Sequence, residues 1–383
     1  MKITTVRAHP LAITLEQALW TAHEALKDSS MVLVEVQTDE GLTGFGEIKG
    51  SPLKAIAEWV THFGEVIRGD DPLAHEIIWD KLFSLTVPRP RAMFGGTGVF
   101  PPIARPSRTN VMAAIGGIDI ALWDLKGKAA RMPVYQLLGG SKRPLFTYAT
   151  GGYYPRDATA EGAAREMAEF VAKGYRAVKL KTGGFTIDEE IARVAGVREA
   201  IGRETLLMLD MNAAYDLNDC IRFALGVEPY DITWLEEPLH WYLQPRDYVQ
   251  LAAHTRIPLA HGEREMHRYT VRDFVECGAI RYLQFDSTRA AGFSESLRVA
   301  QLAEQYGVLV APHTAPEFHA HLVAAFPRVG YSVESHGSDA RDPLRHHLFT
   351  GGTEMRDGYI HLNDKPGFGI EIDWKAVERY RQA

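Results

Sequence analysis

Ala177-Val178-Lys179-Leu180-Lys181-Thr182, Leu206-Leu207-Met208-Leu209-Asp210-Met211-Asn212 and Ile232-Thr233-Trp234-Leu235-Glu236-Glu237-Pro238 are three short β-rich runs, each carrying an ionisable residue at its end. Five more share the pattern: FTYATG from 146, IPLAHGE from 257, RYLQFDS from 281, VLVAPHT from 308 and YSVES from 331. They recur at intervals of about 20 to 30 residues, and amphipathic helical stretches fill the gaps. Parallel strands need a crossover of a dozen or more residues, so eight such runs predict a (β/α)8 barrel. An open doubly wound sheet fits less well, because no Gly-rich phosphate fingerprint follows the first strand.

Working outward, the N-terminal part has a different rhythm. Met31 to Val36 and Leu42 to Ile48 flank the turn Asp39-Glu40-Gly41 and predict antiparallel strands, with helical patterns near 53–67 and 73–84. Residues 86–108 lose all periodicity and collect Pro, Gly and Arg, as a functional loop would. The next helix places Ile115, Ile118, Leu122 and Leu125 on one face and stops before Pro133. A chain of 383 residues with 46% hydrophobic and 24% charged residues suits a soluble protein of two domains.

The net charge of −7 gives no reason to expect a nucleic-acid or membrane partner, so small molecules are the expected ligands. Cys220 and Cys277 are too few for a disulfide framework, and the first residues lack a signal-peptide pattern, so a cytoplasmic location is expected.

The carboxyl ends of barrel strands meet at one mouth, which is the catalytic face. Asp210, Glu236 and Glu263 end consecutive strands and can present three carboxylates to one point, where they would repel without a cation. Oxygen donors without Cys favour Mg2+, with Mn2+ able to substitute. Residues two apart share a face of a strand, so Glu265 rivals Glu263, Asn212 accompanies Asp210, and Glu237 points elsewhere. Lys179 and Lys181 project together, and two ammonium groups near a metal should depress each other's pKa, leaving one as a neutral base. Asp286 and His313 end adjacent strands as a second acid/base pair. Trp20, His23 and Lys49 near the N-terminus, Tyr153 after the first barrel strand, and Arg89, Arg91, Arg105 and Arg108 are candidate substrate contacts.

The ordered set of motifs resembles the enolase superfamily and, within it, the mandelate racemase subgroup of the mandelate racemase/muconate lactonizing enzymes. The matching stretches are Gly117 to Gly140, Lys179-Leu180-Lys181, Leu209 to Asn212, Trp234 to Pro238, Gly262-Glu263, Asp286 with His313, and Pro366 to Glu371. The resemblance implies an α/β fold: an α+β capping domain over 1–135, completed by 352–383, and a modified (β/α)7β barrel over 136–351. It also implies Asp210, Glu236 and Glu263 as Mg2+ ligands, Lys181 assisted by Lys179 as one base, and His313 with Asp286 as the opposite base. Glu334 matches a carboxyl group that meets the substrate carboxylate in part of the subgroup. The implied activity is abstraction of the proton alpha to a carboxylate through an enediolate, foremost dehydration of a sugar acid to a 2-keto-3-deoxy acid. Racemisation or epimerisation and lactone cycloisomerisation are the alternatives, with a non-catalytic sugar-acid-binding protein more distant. Relatives form homo-oligomers, from dimers to octamers.

Overall fold

The computed structural model describes residues 1–86, 107–155 and 158–382. Most of the aperiodic segment, including Arg89, Arg91 and Arg105, therefore lies outside the described residues.

The chain opens with an antiparallel sheet of β1 (Ile3–Trp20), β2 (Ala25–Thr38) and β3 (Thr43–Ile48). Helices α1 (Leu53–Ile67) and α3 (Arg108–Ala130) pack on it, and α2 (His75–Ser84) packs on those two helices. Burial surrounds α3 on nearly every side, between this sheet and the rest of the molecule. Gly46 of β3 permits that close approach, since a Cβ there would stand 2.0 Å from the carbonyl oxygen of Gly117. After the short α4 (Val134–Leu137) the barrel begins.

Its order is β4 (Leu145–Gly151), α5 (Ala160–Ala172), β5 (Ala177–Lys181), α6 (Ile187–Ile201), β6 (Leu206–Asp210) and α7 (Leu217–Val227). Then come β7 (Ile232–Glu236), α8 (Pro245–Ala252), β8 (Leu259–His261), α9 (Arg268–Glu276), β9 (Ile280–Leu283) and α10 (Gly292–Tyr306). It ends with β10 (Leu309–Val310), α11 (Pro316–Ala325) and β11 (Val333–Ser335). Seven helices thus join eight strands, so the fold is the modified (β/α)7β barrel with an N-terminal capping layer rather than a regular (β/α)8 barrel. Neighbours from β4 to β10 pair in parallel, and β11 returns to pair with β4 through Glu334 opposite Tyr148. Strand β10 meets the segment leading into β11 through a parallel bridge, Val310 with Gly330.

After α12 (Pro343–Leu348), β12 (Phe349–Gly351) pairs with β15 (Ile370–Ile372), while the hairpin β13 (Thr353–Arg356) and β14 (Tyr359–Leu362) joins β4. Helix α13 (Trp374–Tyr380) then leads back to β1, where Arg381 bridges Leu11.

The barrel interior sets the site. Tyr148, Ala177, Met208, Trp234, Ala260, Tyr282 and Ala311 form one buried cluster contributed by successive strands, large beside small. Side chains two residues on share that inward face. Two residues after these positions stand Thr150, Lys179, Asp210, Glu236, Gln284 and His313. The apolar plug thereby forms a floor on which a layer of polar and charged groups is laid. On β8 the count slips by one, at Gly262 with φ 139°, where a Cβ would meet the backbone N of Gln284 at 2.9 Å. Glu263 rather than residue 262 then joins the layer.

Candidate active site

Asp210, Glu236 and Glu263 are buried, and one carboxylate oxygen from each lies within 4.8 Å of the others. Burial, with Asp210 beside it, pushes Glu236 up to about 8. Glu263 goes the other way: burial opposes its charge, but His313 and Arg289 outweigh it and hold the carboxyl at about 2. Glu263 Oε2 and Asn212 Oδ1 are buried without a hydrogen-bond partner among the described residues. Converging hard oxygens with unspent acceptor capacity suit a small dication, and Asp210, Glu236 and Glu263 would hold it. Glu265 accepts a hydrogen bond of 3.0 Å from His261 and is not part of this triad. Glu237 is bound by Arg264 at 2.6 Å.

Lys179 Nζ lies 2.6 Å from Glu236, 3.0 Å from Glu334 and 3.5 Å from Asp210, while Lys181 Nζ bonds Asp210. Mutual depression of the two ammonium groups is therefore not what governs them in the protein alone. Burial does disfavour their charge, but Glu236 and Glu334 around Lys179, and Asp210 beside Lys181, raise both above the ordinary lysine value. A dication on the triad would compensate Asp210 beside Lys181, whereas Glu334 would still face Lys179.

Opposite, His313 Nδ1 is 2.8 Å from Asp286, and its Nε2 is 3.3 Å from Glu263 Oε2. Asp286 is fixed by the backbone N–H and hydroxyl of Thr288 at 2.8 and 2.7 Å. Burial would raise Asp286, yet the hydrogen bond and charge of His313 keep it well below the usual carboxylate range. The pair thus has an oriented imidazole and an ionised partner. Glu334 accepts from Thr150 at 2.5 Å, Tyr148 at 3.2 Å and Thr314 N–H at 3.1 Å, besides Lys179. Its oxygens are occupied by these donors, so it anchors Lys179.

A cleft of about 480 Å³ opens between β1–β3 and the barrel, lined by Tyr153, Glu263, Arg289 and His313 from the barrel side and Lys49 from the sheet. Tyr153 lies 5.4 Å from Lys181 Nζ, measured to its ring centroid. Asn212 follows Asp210 with φ 44°, its N–H 3.0 Å from Asp210 Oδ1. Trp20 and His23 are not brought here. Trp20 lines a separate cavity beside Tyr154, and His23 bonds the carbonyl of Ala213 at 2.9 Å and packs on Trp241. Arg108 is exposed at the start of α3.

Sequence reasoning missed Gln284, which donates to Glu236 at 2.6 Å, and Arg289, 2.9 Å from Glu263. The spacing of two between Gln284 and Asp286 was the available signal. It also missed Arg341 and His336, which follow the last barrel strand and line the cleft.

Residues 162–376 match the enolase C-terminal domain-like family, and 2–139 match the mandelate racemase/muconate lactonizing enzyme N-terminal domain. The chain is 33% identical to the D-galactarolactone cycloisomerase of Agrobacterium fabrum, over 100% of this chain and 99% of the relative. It is 32% identical to the D-galactonate dehydratase of Ralstonia pickettii, over 92% and 91% of the two chains. A mandelate racemase/muconate lactonizing enzyme from a marine actinobacterium, solved in complex with magnesium, superposes with a TM-score of 0.85 at 27% identity, covering 100% of this chain and 99% of that one. Matched along both parts, with the acidic triad at the mouth of a (β/α)7β barrel, this chain belongs to the mandelate racemase/muconate lactonizing enzyme family of the enolase superfamily.

Proposed function

We propose that the chain removes the proton alpha to the carboxylate of a sugar acid and expels the beta hydroxyl, yielding a 2-keto-3-deoxy acid. The observation that carries this is the pair of acid/base groups flanking the triad: Lys181 at Asp210 and His313 at Glu263. Bound at the triad, Mg2+ would supply Lewis-acid stabilisation of charge on the substrate carboxylate oxygens. Lys181, neutral once those carboxylates are compensated, takes the alpha proton, and the C–H pair enters the enediolate. Lys179 stays an ammonium, held by Glu334 at 3.0 Å, and stabilises the same oxygens. His313, as an imidazolium oriented by Asp286, donates to the beta hydroxyl, which leaves as water. The resulting enol tautomerises to the keto acid. Tyr153 covers Lys181 and Asn212 borders the triad, which supports a substrate-contacting role for both.

A panel of mono- and diacid sugars assayed for 2-keto product, with alpha-deuterium exchange in D2O, tests the reading. Exchange and keto acid from at least one acid are expected; exchange without water loss would leave an epimerase. Lactone cycloisomerisation is a second reading, favoured by the 33% identity to the galactarolactone enzyme over the whole chain. It uses the same proton abstraction, but the group expelled from the beta carbon is the lactone's own ring carboxylate instead of water, and keto acid formed from a lactone but from no open-chain acid would establish it. A homo-oligomer is part of the proposal and is checked by light scattering.

A further inference from the structure

The cations lining the cleft are mostly spoken for. Lys49 bonds Asp342 at 2.9 Å, Arg289 pairs with Glu263 at 2.9 Å, and Arg264 is held by Glu237 at 2.6 Å. Arg341 differs. Its side chain is 10% exposed and bonds Glu166 through Nη2 alone. Nη1 is buried and has no hydrogen-bond partner among the described residues. Glu166 is fixed in turn, since its Oε2 accepts the N–H of Gly152 at 2.9 Å. The guanidinium carbon stacks 4.8 Å from the centroid of the Tyr153 ring, the ring that also faces Lys181 Nζ at 5.4 Å. One aromatic ring therefore separates the reacting lysine from a clamped arginine with a spare fork. Arg264 Nη1 is also unpartnered, but Arg264 neighbours Glu263 and so belongs to the metal end.

We infer that Arg341 is the distal anchor of the substrate, receiving a second carboxylate at the far end of the carbon chain, so that the enzyme acts on sugar diacids or their lactones in preference to monoacids. This rests on the sugar-acid reading above. Two N–H donors on a buried cationic nitrogen are costly to leave unmade. A carboxylate repays that cost with charge-assisted bonds in the guanidinium plane, whereas a terminal hydroxyl offers one neutral acceptor. Stacking on Tyr153 leaves that plane's edge as the direction of approach. His336 lines the same cleft and is held neutral, because burial pulls its pKa to about 4, so it can bond the same group without adding charge. Anchored at the far end, the chain presents its alpha carbon to Lys181, which makes Arg341 a determinant of substrate length and charge.

The test compares a six-carbon diacid with the monoacid of the same stereochemistry, on the Mg2+-loaded protein. The wild type should show the lower KM for the diacid. Arg341→Met should raise that KM about 30-fold or more, with kcat and the monoacid KM changed less than about threefold, and Arg341→Lys should recover part of the loss. Equal KM values for the two acids in the wild type, or an equal rise for both in Arg341→Met, overturn the proposal. Binding is followed apart from turnover by thermal shift: the diacid should raise Tm more than the monoacid, and this difference should vanish in Arg341→Met. Diacid-specific stabilisation without turnover of any acid would sink the reaction and keep the subsite. Turnover with no diacid preference would sink the subsite and keep the reaction. Should Arg341→Met fail to fold, the wild-type diacid preference and the Arg341→Lys variant decide it.

Discussion

The barrel mouth and the seam between β3 and α12 both bury acids against bases, but they place the bases differently. In the seam, Arg345 reaches Glu317 through Nη1, Glu47 through Nη2 and Asp342 through Nε, and Lys49 closes on Asp342 at 2.9 Å. The cations are threaded between the acids. Burial disfavours the Asp342 charge, yet Lys49 and Arg345 hold its pKa far below the ordinary value. At the mouth, three carboxylates face one another within 4.8 Å while the lysines stand to one side on β5, and Glu236 is pushed up to about 8. Buried charge is common to both. What marks function is like charge gathered at one point, where the protein alone leaves three acids facing one another.

Metal removal is the sharpest way to break that contrast. Chelation should abolish turnover, and Mg2+ should then raise Tm in the wild type but not in Asp210→Asn, whereas Arg345→Met keeps the Mg2+ response. Unchanged turnover after exhaustive chelation would remove the triad from the chemistry.

Next in size come the bases. Lys181→Ala and His313→Asn should each lower kcat by about 10² to 10⁴ with the fold intact. The two should differ in isotope exchange: His313→Asn retains some alpha-deuterium exchange, and Lys181→Ala loses it. The opposite pattern would exchange their roles.

The seam responds in stability instead. Arg345→Met strips the guanidinium from Glu47, Glu317 and Asp342, all buried, and should cost about 3–5 kcal/mol in urea unfolding. A cost under about 1 kcal/mol would show these carboxylates to be adequately served by Lys49, Ser29 and water.

The contrast also explains what could be read in advance. Lys179, Asp210, Glu236 and Glu334 lie on strands whose spacing is written in the chain, and strand ends in a parallel barrel are known to converge. That made the mouth legible, together with the number of strands. The seam was not, because residues 47, 317, 342 and 345 come from a strand and two helices with no shared period. Arg341 escaped for a similar reason: it ends a three-residue 3-10 helix, Asp339–Arg341, after the last barrel strand, and its partner Glu166 is on α5. Trp20 and His23 were placed by their part of the chain rather than by geometry, and β1 carries Trp20 toward Tyr154 instead of the cleft. In the protein alone the lysine pKa values follow the carboxylates of β6, β7 and β11, which no spacing within β5 reveals.

The finest test concerns a buried acid belonging to neither cluster. Asp119 of α3 accepts the backbone N–H of Ser294 at 2.7 Å and its hydroxyl at 2.6 Å, and has no ion-pair partner among the described residues. Burial outweighs both hydrogen bonds and pushes the carboxyl up to about 7. An unfolded aspartate titrates near 4, so between about pH 4 and 7 the folded protein binds the extra proton. The stability this contributes is full below the unfolded pKa and is lost as pH rises through 7. The Asp119→Asn side chain would resemble the protonated acid, keeping one acceptor for the N–H and one donor for the hydroxyl. Wild-type stability relative to Asp119→Asn should therefore fall with pH across that window, by at most about 1.4 kcal/mol per unit. A flat difference from pH 4 to 8 would mean that the Ser294 bonds hold Asp119 ionised, and that α3 and α10 meet across a charge served by its donors, as Asp342 is by Lys49 and Arg345 in the seam.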